Sequence, residues 1–508
     1  MTAKQMADWP DVRFVDAVVA RTGSAESLER FRTQGEGCGW CTNPIRLKGT
    51  QTRVNRHTGE IVSSYSTDSE PDGVLLKSCG TRRATRCPSC AAIYAADARM
   101  VVRAGLIGGK GVSSSVAHHP MVFATLTAPS FGIVHGTRTG RRQPCRPRDS
   151  GQRCTHGRPL SCWAHHDASD PKLGQPLCPD CYDYEQAVLW NATCPELWRR
   201  TTIYLFRELA QLAGTNVAGL RKVVRVSFAK VAEYQRRGVV HLHAVIRLDS
   251  VGDQDAAARC NTATLTAAIR LAVAKVNAPL PPGYSGLARW GAQIDVKTVT
   301  DTAKHGGSNS VTTGPRAVAN YVAKYATKST DDAGALDRRL RGIEDLDIRG
   351  VTGHLRRLVE TAWHLGECPE LSRLRAWAHT LGFGGHWLTK SRRYSVTMGY
   401  LRSERQAWQL LRQSAPEAVS AEVTTVSEWE WVGVGWTTRG DAWLAQVEQG
   451  ARCLAPREAR DALCIEKARG IEGTKPESPS SAMATVTRPD TDPNKRVEFP
   501  PSPMKETC

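Results

Sequence analysis

The chain has no uninterrupted apolar run of the about 18 residues that a membrane-spanning helix needs, and no amphipathic basic anchor at either end. Its opening segment, Met1 to Pro10, lacks the apolar core of a signal peptide. No stretch satisfies the Gly-x-x-x-x-Gly-Lys-Ser/Thr spacing of a phosphate-binding loop; Gly105 and Lys110, flanking the cluster Gly108, Gly109 and Gly111, fail it. These absences argue against a membrane protein and against an ATP-driven helicase within this polypeptide. A soluble, cytoplasmic protein is expected. Acidic residues are also in deficit: 68 Lys and Arg face 50 Asp and Glu, a formal charge of +18. The resulting pI of about 9.4 favours a polyanionic partner, with nucleic acid the plain choice. The length of 508 residues suggests two to four domains.

Two short stretches carry the chemistry. Gly238-Val-Val-His-Leu-His-Ala-Val-Ile-Arg-Leu248 is rich in β-branched residues and bounded by a glycine, so a strand is expected, with His241 and His243 on one face. Val223–Phe228 and Val231–Gln235 read as the preceding strand. A hairpin about Gln235–Gly238 then brings Glu233 opposite Val240 or His241 as a third ligand. Two imidazoles and one carboxylate leave coordination positions open, which suits Mg²⁺ or Mn²⁺ holding a phosphate; a pair of satisfied core histidines is the competing reading. Downstream, Asn320-Tyr-Val-Ala-Lys-Tyr-Ala-Thr-Lys328 has helical spacing, placing Tyr321, Lys324 and Tyr325 on one face with Lys328 beyond. A free phenol has a pKa of about 10, so a nucleophilic tyrosine needs a polarised electrophile or a positive neighbour. A buried helix-face aromatic is the alternative for Tyr321, weakened by two lysines on its stripe.

This pairing resembles the HUH endonucleases, the rolling-circle initiators and relaxases, in which a histidine-hydrophobic-histidine strand binds a divalent metal and a Tyr-x-x-Lys helix carries the nucleophile. Phe123-Ala-Thr-Leu-Thr-Ala-Pro129 is similar to a third motif of that superfamily, although two threonines on a strand are also ordinary β-formers. Arg375-Ala-Trp-Ala-His-Thr-Leu-Gly-Phe-Gly-Gly-His386 and Thr389-Lys-Ser-Arg-Arg-Tyr-Ser395 resemble the RepSA-type replication initiators of actinobacterial plasmids and integrative conjugative elements. The resemblance covers roughly residues 35 to 410. It implies an α+β fold with an HUH core, a central antiparallel sheet flanked by helices. It implies nicking of origin DNA by Tyr321, a 5′-phosphotyrosine and a free 3′-OH, with Lys324 stabilising phenolate or phosphate and Tyr325 available for a second cut. Origin DNA and a host helicase are the expected partners. A conjugative relaxase or HUH transposase shares the chemistry; a zinc-dependent DNA-binding regulator without catalysis is the rival from another class.

Sixteen cysteines in a long chain with three Cys-x-x-Cys pairs point to structural zinc rather than a disulfide framework. Cys38, Cys41, Cys87 and Cys90 make one expected thiolate site, with Cys79 spare. Cys178 and Cys181 form another knuckle. Cys145 and Cys154 are its favoured partners, although His156, Cys162, His165 and His166 compete. Arg82 and Arg83 lie between the first-site cysteines, where phosphate contact and a solvated basic turn are the two readings, and Arg392 and Arg393 form a further DNA-binding candidate.

The expected organisation is a helical arm over 1–35, a four-cysteine zinc module and helix over 36–115, and the nuclease core over 116–330 with a zinc insertion at 136–195. A basic helical region, a DNA-binding candidate, covers 331–415, a small segment 416–472, and a disordered tail 473–508. In the arm, Val12, Val15, Val18 and Val19 are spaced for one apolar face. The Trp-rich Val423–Trp436 has no readable role.

Overall fold

The N-terminal helices α1 (Val12–Thr22) and α2 (Ala25–Gly37) are divided by Ser24, whose hydroxyl accepts the Ser27 amide as an N-cap. The computed structural model describes residues 12–137, 143–148, 151–252, 259–299, 314–327, 336, 338–412 and 423–451. Residues through Gln449 form one unit and Gly450–Cys508 a second. The expected tail falls outside the described residues.

After α2 come β1 (Ile45–Asn55), β2 (Ile61–Ser66) and β3 (Leu75–Lys77), then α3 (Pro88–Ile107), which Pro88 starts and Gly108 ends. A Cβ on Gly108, at φ +82°, would lie 2.7 Å from the Ser113 carbonyl oxygen, so the turn into β4 (Met121–Leu126) needs glycine. Following the Cys/His-rich insertion are α4 (Tyr184–Leu212), β5 (Val224–Tyr234), β6 (Val240–Ser250), α5 (Thr262–Lys275), β7 (Ile294–Thr298) and α6 (Pro315–Thr327). The chain continues through α7 (Gly353–Leu365), β8 (Leu388–Lys390), α8 (Met398–Arg412) and β9 (Val423–Val434).

The fold is mixed α and β, built on antiparallel sheets. The central sheet has the order β8-β5-β6-β4-β7, with every neighbour antiparallel. Strand alternation divides its side chains. Val122, Ala124, Leu126, Leu242, Ala244 and Ile246 enter the main core with α4 and α5. Phe123, Ala229, Val231 and Val245 face the other way, against Val102 of α3 and Val318 and Val322 of α6. Both faces are therefore covered by helices.

Two strands join sheets across the expected segment boundaries. Leu388–Lys390, from the region read as a separate basic module, completes the central sheet by pairing with Ala229–Val231 of β5. Tyr394, from the Arg-Arg-Tyr motif, is fully buried beneath α3, its hydroxyl donating to the Val102 carbonyl oxygen at 3.1 Å. Val423–Val434 pairs along the full length of β1. In the arm, Val15 and Val19 are exposed rather than packed, while a Cβ on Gly440 would touch Ala17 and Arg21 bonds Asp441 at 2.8 Å.

Candidate functional site

The β5–β6 hairpin builds the site. Its turn closes with the Gly238 amide donating to the Gln235 carbonyl oxygen at 2.8 Å, and Gly238 adopts φ +76°. Asn191, fully buried on α4, donates to the Gly238 and Leu381 carbonyl oxygens and accepts the Val240 amide. Strand register is thereby fixed at the tip. It sets Glu233 directly opposite His241 and Val231 opposite His243.

Glu233 Oε2 lies 2.8 Å from His241 Nε2 and 3.1 Å from His243 Nε2, so the three ligand atoms converge on one point. Glu233 and His243 are buried and His241 is partly open. A buried carboxylate shared by two imidazoles fits a divalent cation, with positions left open on the His241 side. His243 Nδ1 lies 3.0 Å from Thr125 Oγ1, on the strand opposite. With Thr125 beside Nδ1, Nε2 is the nitrogen turned toward Glu233.

α6 brings Tyr321 to this cluster. Val318, Ala319 and Val322 are buried against the sheet, whereas Tyr321 is 40% exposed. Its ring stands edge-on to His243 at 5.2 Å between centroids and edge-on to Phe123 at 5.4 Å. Phe123 stacks on His243 at 5.8 Å with only 9° between planes. Tyr321 is thus not a core aromatic; it brings a half-open phenol beside the cluster of Glu233, His241 and His243. Lys324 and Tyr325 follow on the same helix, and Lys328 lies outside the described residues.

Beneath the sheet's far end a buried polar knot ties α3 to β6. Arg247, 1% exposed, bonds both carboxylate oxygens of Asp249, and also the Gly105 and Tyr394 carbonyl oxygens. Asp249 further accepts from Ser227 at 2.5 Å and contacts His119 Nδ1 at 2.9 Å. Burial pushes the Asp249 carboxyl up, but bonds from His119 and Arg247 outweigh it and hold it well below the usual range. The sequence does not mark Arg247 and Asp249 as a pair, because a lone Arg-x-Asp on a strand has no distinguishing spacing.

The cysteines group differently from expectation. The first cluster is Cys41, Cys79, Cys87 and Cys90, with Cys41 Sγ 3.7 Å from Cys87 Sγ and 3.6 Å from Cys90 Sγ. Cys79 takes the place expected of Cys38. The Cys38 thiol instead donates to the Gly35 carbonyl oxygen at 3.3 Å, and burial pushes it up to about 11. In the insertion, Cys154, Cys178 and Cys181 meet as expected, but Cys145 does not join them and His156 completes the group. Cys145 joins His135, Cys162 and His166, while Cys154 joins His156, Cys178 and Cys181. His135 escaped notice because it precedes the cysteine-rich stretch. Clusters of this composition can hold a metal such as zinc.

The basic candidates also separate. Arg83 is buried, and its Nη1 donates to the Leu336 carbonyl oxygen at 2.9 Å, so it is a structural residue rather than a phosphate contact. Arg82 lies over the Trp387 ring at 4.2 Å. Arg392 and Arg393 are exposed on the segment following β8. Among the described residues, no helix is long and apolar enough to cross a membrane.

Comparison with known proteins bears on these features together. The family model RepSA, described as "Replication initiator protein, pSAM2", matches residues 27–449. A "Replication initiator protein" of Streptomyces ambofaciens is 40% identical over 456 residues, covering 87% of this chain and 94% of the relative. No solved structure matches the chain.

Proposed function

Because this chain belongs to the RepSA family of replication initiator proteins, we propose that it initiates replication of its element by nicking origin DNA through a tyrosine of the HUH type. The observation that carries the reading is the convergence of Glu233, His241 and His243, with the Tyr321 ring edge-on to His243. A cation, Mg²⁺ or Mn²⁺, bound by these three residues supplies positive charge at a scissile phosphate oxygen.

The chain's own residues do the remainder. Tyr321 Oη forms the new bond to phosphorus and the 3′-oxygen leaves. The phenol loses its proton and the leaving oxygen gains one, giving a 5′-phosphotyrosine and a free 3′-OH. Edge-on packing against Phe123 and His243 restricts the Tyr321 ring and limits the orientational entropy lost on attack. Lys324, one helical turn on, offsets phenolate charge, and Tyr325 serves a second cut after one round. One phosphodiester replaces another, so resealing needs no ATP. Arg82, Arg392, Arg393 and Lys328 bind the DNA backbone, and a host helicase opens the duplex beyond the nick. The Cys41, Cys79, Cys87 and Cys90 cluster holds a structural zinc that anchors the start of α3.

The test is a cleavage assay on single-stranded origin DNA with Mn²⁺ or Mg²⁺, read on a denaturing gel. A protein-linked band that disappears with EDTA and in Tyr321→Phe is expected. An undiminished adduct in Tyr321→Phe moves the role to Tyr325, and binding without any adduct points to a regulator.

A further inference from the structure

We propose that the insertion between β4 and α4 is a cross-braced module holding two zinc ions, one on His135, Cys145, Cys162 and His166 and the other on Cys154, His156, Cys178 and Cys181. The order of ligands along the chain carries the topology. The pairs His135/Cys145 and Cys162/His166 serve the first ion; Cys154/His156 and Cys178/Cys181 serve the second. First and third pairs alternate with second and fourth, so neither ion closes a loop that the other leaves free.

Donor spacing fits the ion. Ligand atoms around a tetrahedral zinc at about 2.0–2.3 Å stand about 3.3–3.8 Å apart. In the first cluster His135 Nδ1 is 3.1 Å from His166 Nε2 and 3.8 Å from Cys145 Sγ, and His166 Nε2 is 3.5 Å from Cys162 Sγ. In the second, His156 Nδ1 is 3.2 Å from Cys181 Sγ and 3.8 Å from Cys178 Sγ. Outer contacts are those a metal site uses: His166 Nδ1 lies 2.5 Å from Asp170 Oδ2, and the Gly136 amide donates to Cys145 Sγ at 3.2 Å. Nitrogen and sulfur in four-fold sets select zinc over Mg²⁺ or Ca²⁺.

The segment also needs such a brace. Between Thr137 and Gln175 the described residues bury only Cys145, Leu173 and Gly174, far too little apolar surface to fix this much chain. Backbone bonds set the ligand pairs rather than a core: Arg146 and Cys162 exchange both amide bonds, at 2.8 and 2.9 Å. The braced loop in turn grips the catalytic hairpin. Arg236 at the turn bonds the Ala168 and Asp170 carbonyl oxygens, and Tyr182 Oη donates to the Arg237 carbonyl oxygen at 3.3 Å. Zinc in the insertion thereby holds the tip of the strands that carry Glu233 and His241.

The experiment measures zinc per chain in the purified full-length protein, by mass spectrometry of the metal after exhaustive desalting. Cys162→Ser and Cys178→Ser should each lose one zinc relative to the parent, and the double variant two. His166→Ala should lose one, and His166→Cys should keep it because a thiolate replaces the imidazole. Interleaving further requires that the ion left in Cys162→Ser passes to a chelator faster than from the parent. Unchanged zinc in Cys162→Ser and His166→Ala would overturn the proposal in favour of a single Cys145, Cys154, Cys178 and Cys181 site. Equal release rates would overturn the interleaving. Circular dichroism of each variant checks that the rest of the chain stays folded, and none of these readouts depends on nicking.

Discussion

Thr125 and His243 face each other across β4 and β6, with Thr125 Oγ1 3.0 Å from His243 Nδ1. Thr125 thus meets the imidazole nitrogen opposite the one that faces Glu233. When Nδ1–H donates to the threonine oxygen the Nε2 lone pair is available to a cation, and losing such an outer partner typically costs about 10–100-fold in metal affinity.

Thr125→Val keeps the strand and the side-chain shape but removes this bond. Mn²⁺ affinity, followed by calorimetry or spin-resonance titration, should fall about 10–100-fold. Melting should be nearly unchanged. Parent-like Mn²⁺ affinity would show that His243 is held by packing on Phe123 alone.

Glu233 joins both imidazoles, so Glu233→Ala should remove one ligand and the only negative charge among the three. Nicking should then need much higher Mn²⁺, with maximal rate down about 100-fold or more, since a metal-organising group supplies several kcal/mol. DNA retention in EDTA should match the parent. Full activity at parent Mn²⁺ levels would assign the third ligand elsewhere.

Asp249→Asn leaves Arg247 buried without a counter-charge. Breaking a buried pair from one side destabilises by about 3–5 kcal/mol. Thermal and urea unfolding should both register it, and Arg247→Met together with Asp249→Asn should recover part of the loss. A loss below about 1 kcal/mol, the worth of an exposed pair, would contradict the burial.

His379 gives the chain an acid-sensitive term. Burial, with Arg83 and Arg339 nearby, lowers its imidazole to about 4 from an ordinary 6.5. Below 6.5 the unfolded chain binds a proton that the folded chain refuses, so stability is lost as pH falls from about 6.5 toward 4. His379→Gln should flatten the dependence of stability on pH in that window, by on the order of 1–3 kcal/mol across it. A parent-like slope in that variant would assign the term to other groups.

Much of the candidate site is legible in the linear chain because its geometry is local. Side-chain alternation alone puts His241 and His243 on one face, and a tight turn near Gly238 brings Glu233 opposite Val240 or His241, a choice the Asn191-held register settles for His241. Helical spacing groups Tyr321, Lys324 and Tyr325, and it is the resemblance to a Tyr-x-x-Lys motif that implies Tyr321 as the nucleophile. The knuckles behave otherwise, because two Cys-x-x-Cys pairs look equivalent until the backbone is known. Cys38 caps α2, and Gly39 and Trp40 then take φ of 64° and 52°, which turns Cys41 toward the cluster and Cys38 back toward Gly35.

The sequence by itself determined the strand faces, the hairpin and the tyrosine helix, since each follows from periods of a few residues, and composition gave the basic, cysteine-rich character of the chain. Only the tertiary structure decided which cysteine completes the first cluster, how the insertion divides into two, that β8 joins the central sheet and that β9 lies along β1. Those pairings unite residues far apart in the chain, and their stability comes from buried contacts and backbone bonds between segments, for which no local pattern is specific.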